Sequence, residues 1–371
     1  MKLIAQVKLQ PSTEQRQALL QTLETVNNAA NYISKHAWDT KTFRQFDLHH
    51  ALYYNIRQTF KLTAQLVIRV LSKVTDSYKV DRKTMRVFRK HGGIAYDKRI
   101  LSWKLAQQMV SIWTVGGRAT IRFAAGVKQL QLLEYISGEA DLIYRDGEFY
   151  LHQVCEMEEP PPGDVKEFLG VDLGIKNIAV DSDGQVFAGG QVNGLRKRHA
   201  KLRAKLQSKG TKAATRLLKK RSKKEQRFAN HVNHCISKRI VGKAKDTGRG
   251  IALEDLKGIR GRVAVRKAER RQHSSWAFAD LRAKIEYKAR LSGIPVVAVD
   301  PRHTSQTCPA CGSIDRLNRP SQSLFSCISC GFVGHSDTIA AGNIASRAAC
   351  KPARLLAQPV GPGRDKLSAF S

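Results

Sequence analysis

Leu3, Ala5, Val7 and Leu9 alternate with polar residues at the start of the chain, the period of two that predicts a half-buried strand over 3–9. The period changes at Pro11-Ser12-Thr13-Glu14, where Ser12 or Thr13 can cap free backbone N–H groups. Leu19, Leu20, Leu23, Val26 and Ile33 then recur at helical spacing, which predicts a helix over 14–37. Two more helices are expected at 46–60 and 62–78, followed by a basic stretch with Arg82, Lys83, Arg86, Arg89 and Lys90. Strand periodicity returns from 110 to 155. Residues 111–115 and 119–123 make one hairpin around Gly116-Gly117, and 142–144 and 149–151 flank the turn pair Asp146-Gly147. If strand 3–9 joins this sheet, residues 1–10 and 80–160 form a small β-barrel that carries a helical insertion at 11–79.

Glu158-Glu159-Pro160-Pro161-Pro162-Gly163 reads as a stiff linker and a domain boundary. Beyond it strands are expected at 168–173, 178–181 and 185–188, then basic helices over 193–245. A strand at 250–254, a helix at 276–292, a strand at 295–299 and a last helix from about 337 complete the pattern. Three antiparallel strands followed by helix–strand alternation is the order of an RNase H-like α/β layer, here 165–302 and 332–350 with 303–331 inserted. The Pro- and Gly-containing end, 351–371, is expected to be disordered.

Charge narrows the partner. Sixty-four Lys and Arg against 31 Asp and Glu give a formal net charge of +33, which disfavours a compact fold unless an anion offsets it. A polyphosphate does so, and each neutralised phosphate releases a counterion. With 42% hydrophobic residues the chain is no disordered basic tail. No run is apolar enough to span a bilayer and the N-terminus has no signal-peptide pattern, so a cytoplasmic, nucleoid-associated protein is expected.

Four of the seven cysteines form two C-x-x-C pairs, Cys308/Cys311 and Cys327/Cys330, with fifteen residues between the pairs. This is zinc-ribbon spacing: four thiolates in two knuckles can close a tetrahedral site about 2.3 Å from one Zn²⁺. A closed site leaves no coordination position for chemistry, so its role is structural. Cys155, Cys235 and Cys350 stand alone, which speaks against a disulfide framework.

Three acids occupy positions where a charge needs a partner. Asp172 lies in Gly170-Val171-Asp172-Leu173-Gly174, Glu254 ends the apolar run Ile251-Ala252-Leu253, and Asp337 opens a helix of small residues. Carboxylates do not sit on apolar strands uncompensated, and divalent cations are natural partners. Two Mg²⁺ held by such acids would activate a water and stabilise the leaving oxygen of a phosphodiester. Asp181, Asp255 and Asp300 compete for the same roles, and Asp337 taken alone reads as a helix cap. Far separation of the three, or arginines paired with them in place of metal, would end the nuclease reading.

The runs 170–174, Leu253-Glu254-Asp255-Leu256, Thr304-Ser305-Gln306-Thr307-Cys308-Pro309-Ala310-Cys311-Gly312 and 337–344 together resemble the TnpB (OrfB) family of insertion-sequence proteins, related to type V CRISPR effectors. The resemblance implies an RNA-guided DNA endonuclease with a RuvC-type core. Asp172, Glu254 and Asp337 would be its catalytic acids and Mg²⁺ ligands, and Cys308, Cys311, Cys327 and Cys330 its zinc ribbon. The N-terminal barrel and its insertion would be the wedge and recognition regions. It further implies a guide RNA encoded near the gene, a double-stranded DNA target with a short adjacent motif, and a monomer in complex with RNA. Two positions depart from the family: His335 stands where an Asp is usual, and Ile339 where an Asn is usual.

Residues 196–227 contain fifteen Lys or Arg and one acid, Glu225, while Leu195, Leu202 and Leu206 mark one apolar face. A solvated helix would interleave acids at i,i+4, so a phosphate-lined groove is expected, as is a basic lead-in at 256–271. Two alternatives remain, a guide-dependent DNA-binding regulator with an impaired nuclease and an RNase H-like transposase. The latter generally orders its acids Asp, Asp, Glu, whereas the order here is Asp, Glu, Asp.

Overall fold

The computed structural model describes residues 1–222, 224–255 and 278–350. The expected basic lead-in at 256–271 and tail at 351–371 therefore lie outside the described residues. Contacts divide the chain after Glu158 into two compact units.

The first unit is built on a seven-stranded antiparallel sheet. Its strands are β1 (Lys2–Gln10), β2 (Ile94–Tyr96), β3 (Leu101–Lys104), β4 (Met109–Thr114), β5 (Gly117–Ala124), β6 (Ile136–Arg145) and β7 (Glu148–Glu156), in the order β2-β6-β7-β1-β5-β4-β3. The first strand is thus central, paired along its length with β7 and at its end with β5. The expected barrel is corrected in one respect: no backbone ladder joins β2 to β3. The sheet curls far enough for the Tyr96 hydroxyl on β2 to donate to the Trp113 carbonyl on β4 at 3.1 Å. Asp146 and Gly147 both have positive φ, 53° and 83°, as a two-residue hairpin turn requires.

Between β1 and β2 lie α1 (Thr13–Asp39), α2 (Gln45–Phe60) and α3 (Ala64–Val80). Ser12 caps α1 by accepting from the Gln15 N–H, and the Gln15 side chain accepts from the Ser12 N–H in return. Leu19, Leu23, Val26, Ala30 and Ile33 bury one face of α1, against which Val67, Val70, Leu71 and Val74 of α3 belong to the same core. The face also carries Asn27, Asn31 and Ser34, which bond the backbone of Gly92, Phe88 and Arg86. This polar row lays the basic stretch along α1 and leaves Lys83, Arg89 and Lys90 exposed. A short α4 (Val127–Leu133) follows β5.

The second unit contains a five-stranded sheet of β8 (Phe168–Asp172), β9 (Asn177–Asp181), β10 (Val186–Ala188), β11 (Gly250–Glu254) and β12 (Val296–Val299), ordered β10-β9-β8-β11-β12. The first three strands run antiparallel, whereas β11 lies parallel to both β8 and β12. Helices α5 (Gly190–Lys209), α6 (Lys212–Arg221) and α7 (Lys224–Asp246) precede β11, and α8 (Phe278–Leu291) precedes β12. A ribbon with β13 (Leu324–Ser326) and β14 (Val333–His335) leads into α9 (Ser336–Cys350).

Period-two alternation sorts this sheet into two faces. Leu169, Val171, Ile251 and Leu253 pack with Ile240 of α7 and Ile285 of α8. Phe168, Ala252, Val297 and Val299 pack with Ile344 and Ala348 of α9 on the other face. Gly170 and Asp172 share the parity of Phe168, and Glu254 that of Ala252, so both acids lie on the side covered by α9.

Candidate active site

Gly170 pairs with Ala252 and Val171 with Leu253 across the parallel ladder. Continuing that register sets Asp172 beside Glu254 at the C-terminal ends of neighbouring strands, the edge where open α/β sheets place their ligands. Asp337, the second residue of α9, reaches the same region: its Oδ2 accepts from Asn177 Nδ2 at 2.9 Å, at the start of β9. Glu254 is oriented by the Thr304 hydroxyl, which donates to its Oε1 at 2.5 Å. Asn343 of α9 fixes that loop in turn, donating to the carbonyls of Thr304 and Thr307 at 2.8 Å each.

The carboxylates feel one another. Burial raises the Asp172 pKa to about 7, and the charges of Glu254 and Asp337 add to the effect while Arg319 and the Leu173 N–H oppose it. Burial also raises Glu254, against the hydroxyl of Thr304 and the charge of Arg347. Among the described residues no basic side chain lies within 4.0 Å of Asp172 or Glu254. One arginine does reach the cluster: Arg319 Nη2 lies 3.5 Å from Asp337 Oδ1.

The competing acids have other partners. Asp181, fully buried, accepts from Lys243 Nζ at 2.7 Å and from the backbone of Asp183 and Gln185. Asp255 pairs with Arg282 at 3.4 Å, and Asp300 turns the chain by accepting from the Arg302 N–H. His335 is exposed at the end of β14. Ile339 is buried with Cys308, Phe325 and Cys327, so it cements α9 to the ribbon.

The four cysteine sulfurs lie within 4.8 Å of one another, the only such group of metal-ligand side chains among the described residues. Cys308 and Cys330 are 3.6 Å apart, as are Cys311 and Cys327, close to the separation of about 3.8 Å in a tetrahedral zinc–thiolate site. The two knuckles are built alike. The Gly312 and Gly331 N–H groups donate to Cys308 and Cys327 carbonyls at 3.0 Å, and both glycines adopt left-handed φ, 74° and 73°. A four-thiolate set of this shape fits Zn²⁺.

On the basic helices, Lys197, Arg198, Lys201, Arg203, Lys205 and Lys209 are exposed, while Leu206 is buried. Glu225 ties α7 to α5 through Arg196 and Arg203 at 3.6 and 3.7 Å.

The chain is similar to known proteins in sequence and fold. The OrfB_IS605 family, described as a probable transposase, matches residues 152–258, and the Cas12f1-like TNB domain matches 278–344. A TnpB-like protein of Methanocaldococcus jannaschii is 32% identical over 196 residues, 49% of this chain and 69% of that protein. The chain belongs to the TnpB family. A CRISPR-associated endodeoxyribonuclease Cas12f1 of Syntrophomonas palmitatica is 32% identical over 186 residues, 46% of this TnpB-family chain but only 36% of the longer relative. The fold is shared with a solved Cas12f1–sgRNA–target DNA complex, with a TM-score of 0.60 at 15% identity, covering 88% of this chain and 82% of that one.

Asn177 and Arg319 carry no signal in the sequence, and Thr304 opens the run 304–312 without a role of its own there. Each acts on an acid distant in the chain, and none breaks a local pattern.

Proposed function

We propose that this TnpB-family chain is a transposon-associated, RNA-guided DNA endonuclease of the RuvC type. The observation that carries the proposal is the common placement of Asp172 and Glu254 at the ends of adjacent parallel strands, with Asp337 delivered to them by α9. Bound divalent ions would supply an activated water and neutralise charge on the leaving oxygen. Asp172, between the other two acids, would bridge the ions. Thr304 would keep Glu254 aimed at one of them, and Asn177 would keep Asp337 aimed at the other. The exposed lysines and arginines of α5 and α6 would hold the phosphates of a guide–target heteroduplex, whose sequence is read by base pairing. The sheet of the first unit and its helical insertion would serve as wedge and recognition regions, and zinc in the ribbon would fix its shape.

The test is cleavage of a matched double-stranded target by the chain purified with RNA transcribed from its own locus, with and without Mg²⁺. Asp172→Ala should abolish cleavage and leave RNA and DNA binding intact. Cleavage retained in that variant would overturn the site assignment. The Arg319–Asp337 contact favours the second reading, a guide-dependent DNA-binding regulator; target binding without nicking at any Mg²⁺ concentration would establish it.

A further inference from the structure

Arg319 belongs to the ribbon, between the two cysteine pairs, at the end of the short 3₁₀ turn Arg316–Asn318. Its Nη2 makes two contacts of unequal quality, donating to the Gln322 carbonyl at 3.0 Å and facing Asp337 Oδ1 at the longer 3.5 Å. The first lies within the ribbon and the second crosses to α9. The Asp337 side chain is mostly buried, and that of Arg319 is 30% exposed. The other Asp337 oxygen is already engaged by Asn177. Oδ1, the oxygen with no hydrogen-bond donor in the cluster but Arg319 facing it, is the less encumbered one for a divalent ion.

Metal–oxygen bonds for Mg²⁺ are about 2.1 Å. An ion on Oδ1 and a guanidinium still 3.5 Å from that oxygen would be no more than about 5.6 Å apart. Two cations so close in a half-buried site repel each other strongly. The guanidinium has somewhere to go, because its shorter bond to Gln322 does not depend on Asp337.

We propose that Arg319 is an exchangeable counter-ion of the acid cluster, seated on Asp337 while no divalent ion is bound and displaced onto the ribbon when one arrives. Arg319 thereby competes with metal, and it couples metal occupancy to the part of the ribbon between the two knuckles. The inference rests on the metal-binding reading proposed above.

Mn²⁺ binding by calorimetry to the zinc-loaded full chain, with no nucleic acid, tests it. Arg319→Gln removes the competing charge and should tighten Mn²⁺ binding about 1.5- to 5-fold, the effect of a partly exposed ion pair. Arg319→Lys should bind like the native chain. Unchanged or weaker binding by Arg319→Gln, with Asp172→Asn still abolishing binding, would overturn the counter-ion role and leave the metal site standing. Native binding unaffected by either Asp172→Asn or Asp337→Asn would overturn both. A second measurement needs no variant that could misfold. In the native chain with ¹⁵N-labelled arginine, Mg²⁺ should shift the Arg319 side-chain signal, and a signal unmoved at saturating Mg²⁺ would overturn the proposal.

Discussion

Gly170 lies so close to Ala341 that a Cβ on it would stand 2.0 Å from the Ala341 carbonyl oxygen and 2.7 Å from the Ala345 nitrogen. Glycine on β8 is what lets α9 lie against the strand that bears Asp172. Gly170→Ala must therefore push the helix away, and Asp337 with it. We expect destabilisation at or above the upper end of the overpacking range of about 1–3 kcal/mol, because backbone cannot yield as a side chain can. The melting temperature of the zinc-loaded protein should drop by several degrees, and cleavage should fall further than stability alone accounts for. An unaltered melting curve would contradict this packing.

Thr304→Val keeps shape and deletes the hydroxyl that orients Glu254. Support of this kind around a metal ligand is typically worth about 10- to 100-fold in affinity or activity. We expect a cleavage loss in that range with zinc content unchanged, and substantial recovery in Thr304→Ser. Equal activity of the valine variant would show that Glu254 needs no such support.

The raised Asp172 pKa fixes a sign. The ordinary value is 3.8 and the folded value is about 7, so between these limits the folded chain binds more protons than the unfolded one. Stability of the metal-free protein should fall as pH rises through that window and level off above it. Asp172→Asn should remove that part of the slope and raise the melting temperature at pH 8. Divalent-ion binding should release close to one proton at pH 6 and progressively fewer toward pH 8, measurable by calorimetry in buffers of different ionisation enthalpy. Proton release that does not depend on pH would refute the assignment.

Asp181 has a basic partner where Asp172 has none within 4.0 Å. It is fully buried against Lys243, and removing one partner of such a pair strands the other, at a cost of about 3–5 kcal/mol. Lys243→Met should therefore destabilise the second unit more than Asp172→Asn changes it, in the direction of unfolding. Denaturant titration of both variants separates the two kinds of buried acid.

Cys308→Ser should abolish stoichiometric zinc and lower the stability of the C-terminal region, since Cys308, Cys327, Phe325 and Ile339 form one small core with α9. Zinc analysis and melting read this directly. Full zinc occupancy with normal melting would refute the ribbon assignment.

Much of this fold could be read from periodicity. The apolar runs at 168–173 and 250–254 predict two strands, one with Asp172 inside it and one ending on Glu254, and the C-x-x-C spacing predicts the ribbon. The polar row Asn27, Asn31 and Ser34 has helical spacings of four and three, but its partners at 86–92 are loop carbonyls that carry no sequence signal. The expected barrel stays unlaced between β2 and β3 for a similar reason, since closure depends on how far a twisted sheet curls, which no local pattern records. The contacts of Asn177 and Arg319 with Asp337 join residues that are local to nothing but each other in space.

The order of parts along the chain has a consequence for biosynthesis. Two of the acids are made early in the second unit, but Asp337 arrives 165 positions after Asp172, on the helix that also covers one face of β8. A product terminated before residue 336 would lack the third carboxylate and leave the apolar side of its central strand bare. Such fragments should be inert toward DNA and prone to proteolysis, so premature termination would not release a partly assembled cutting centre.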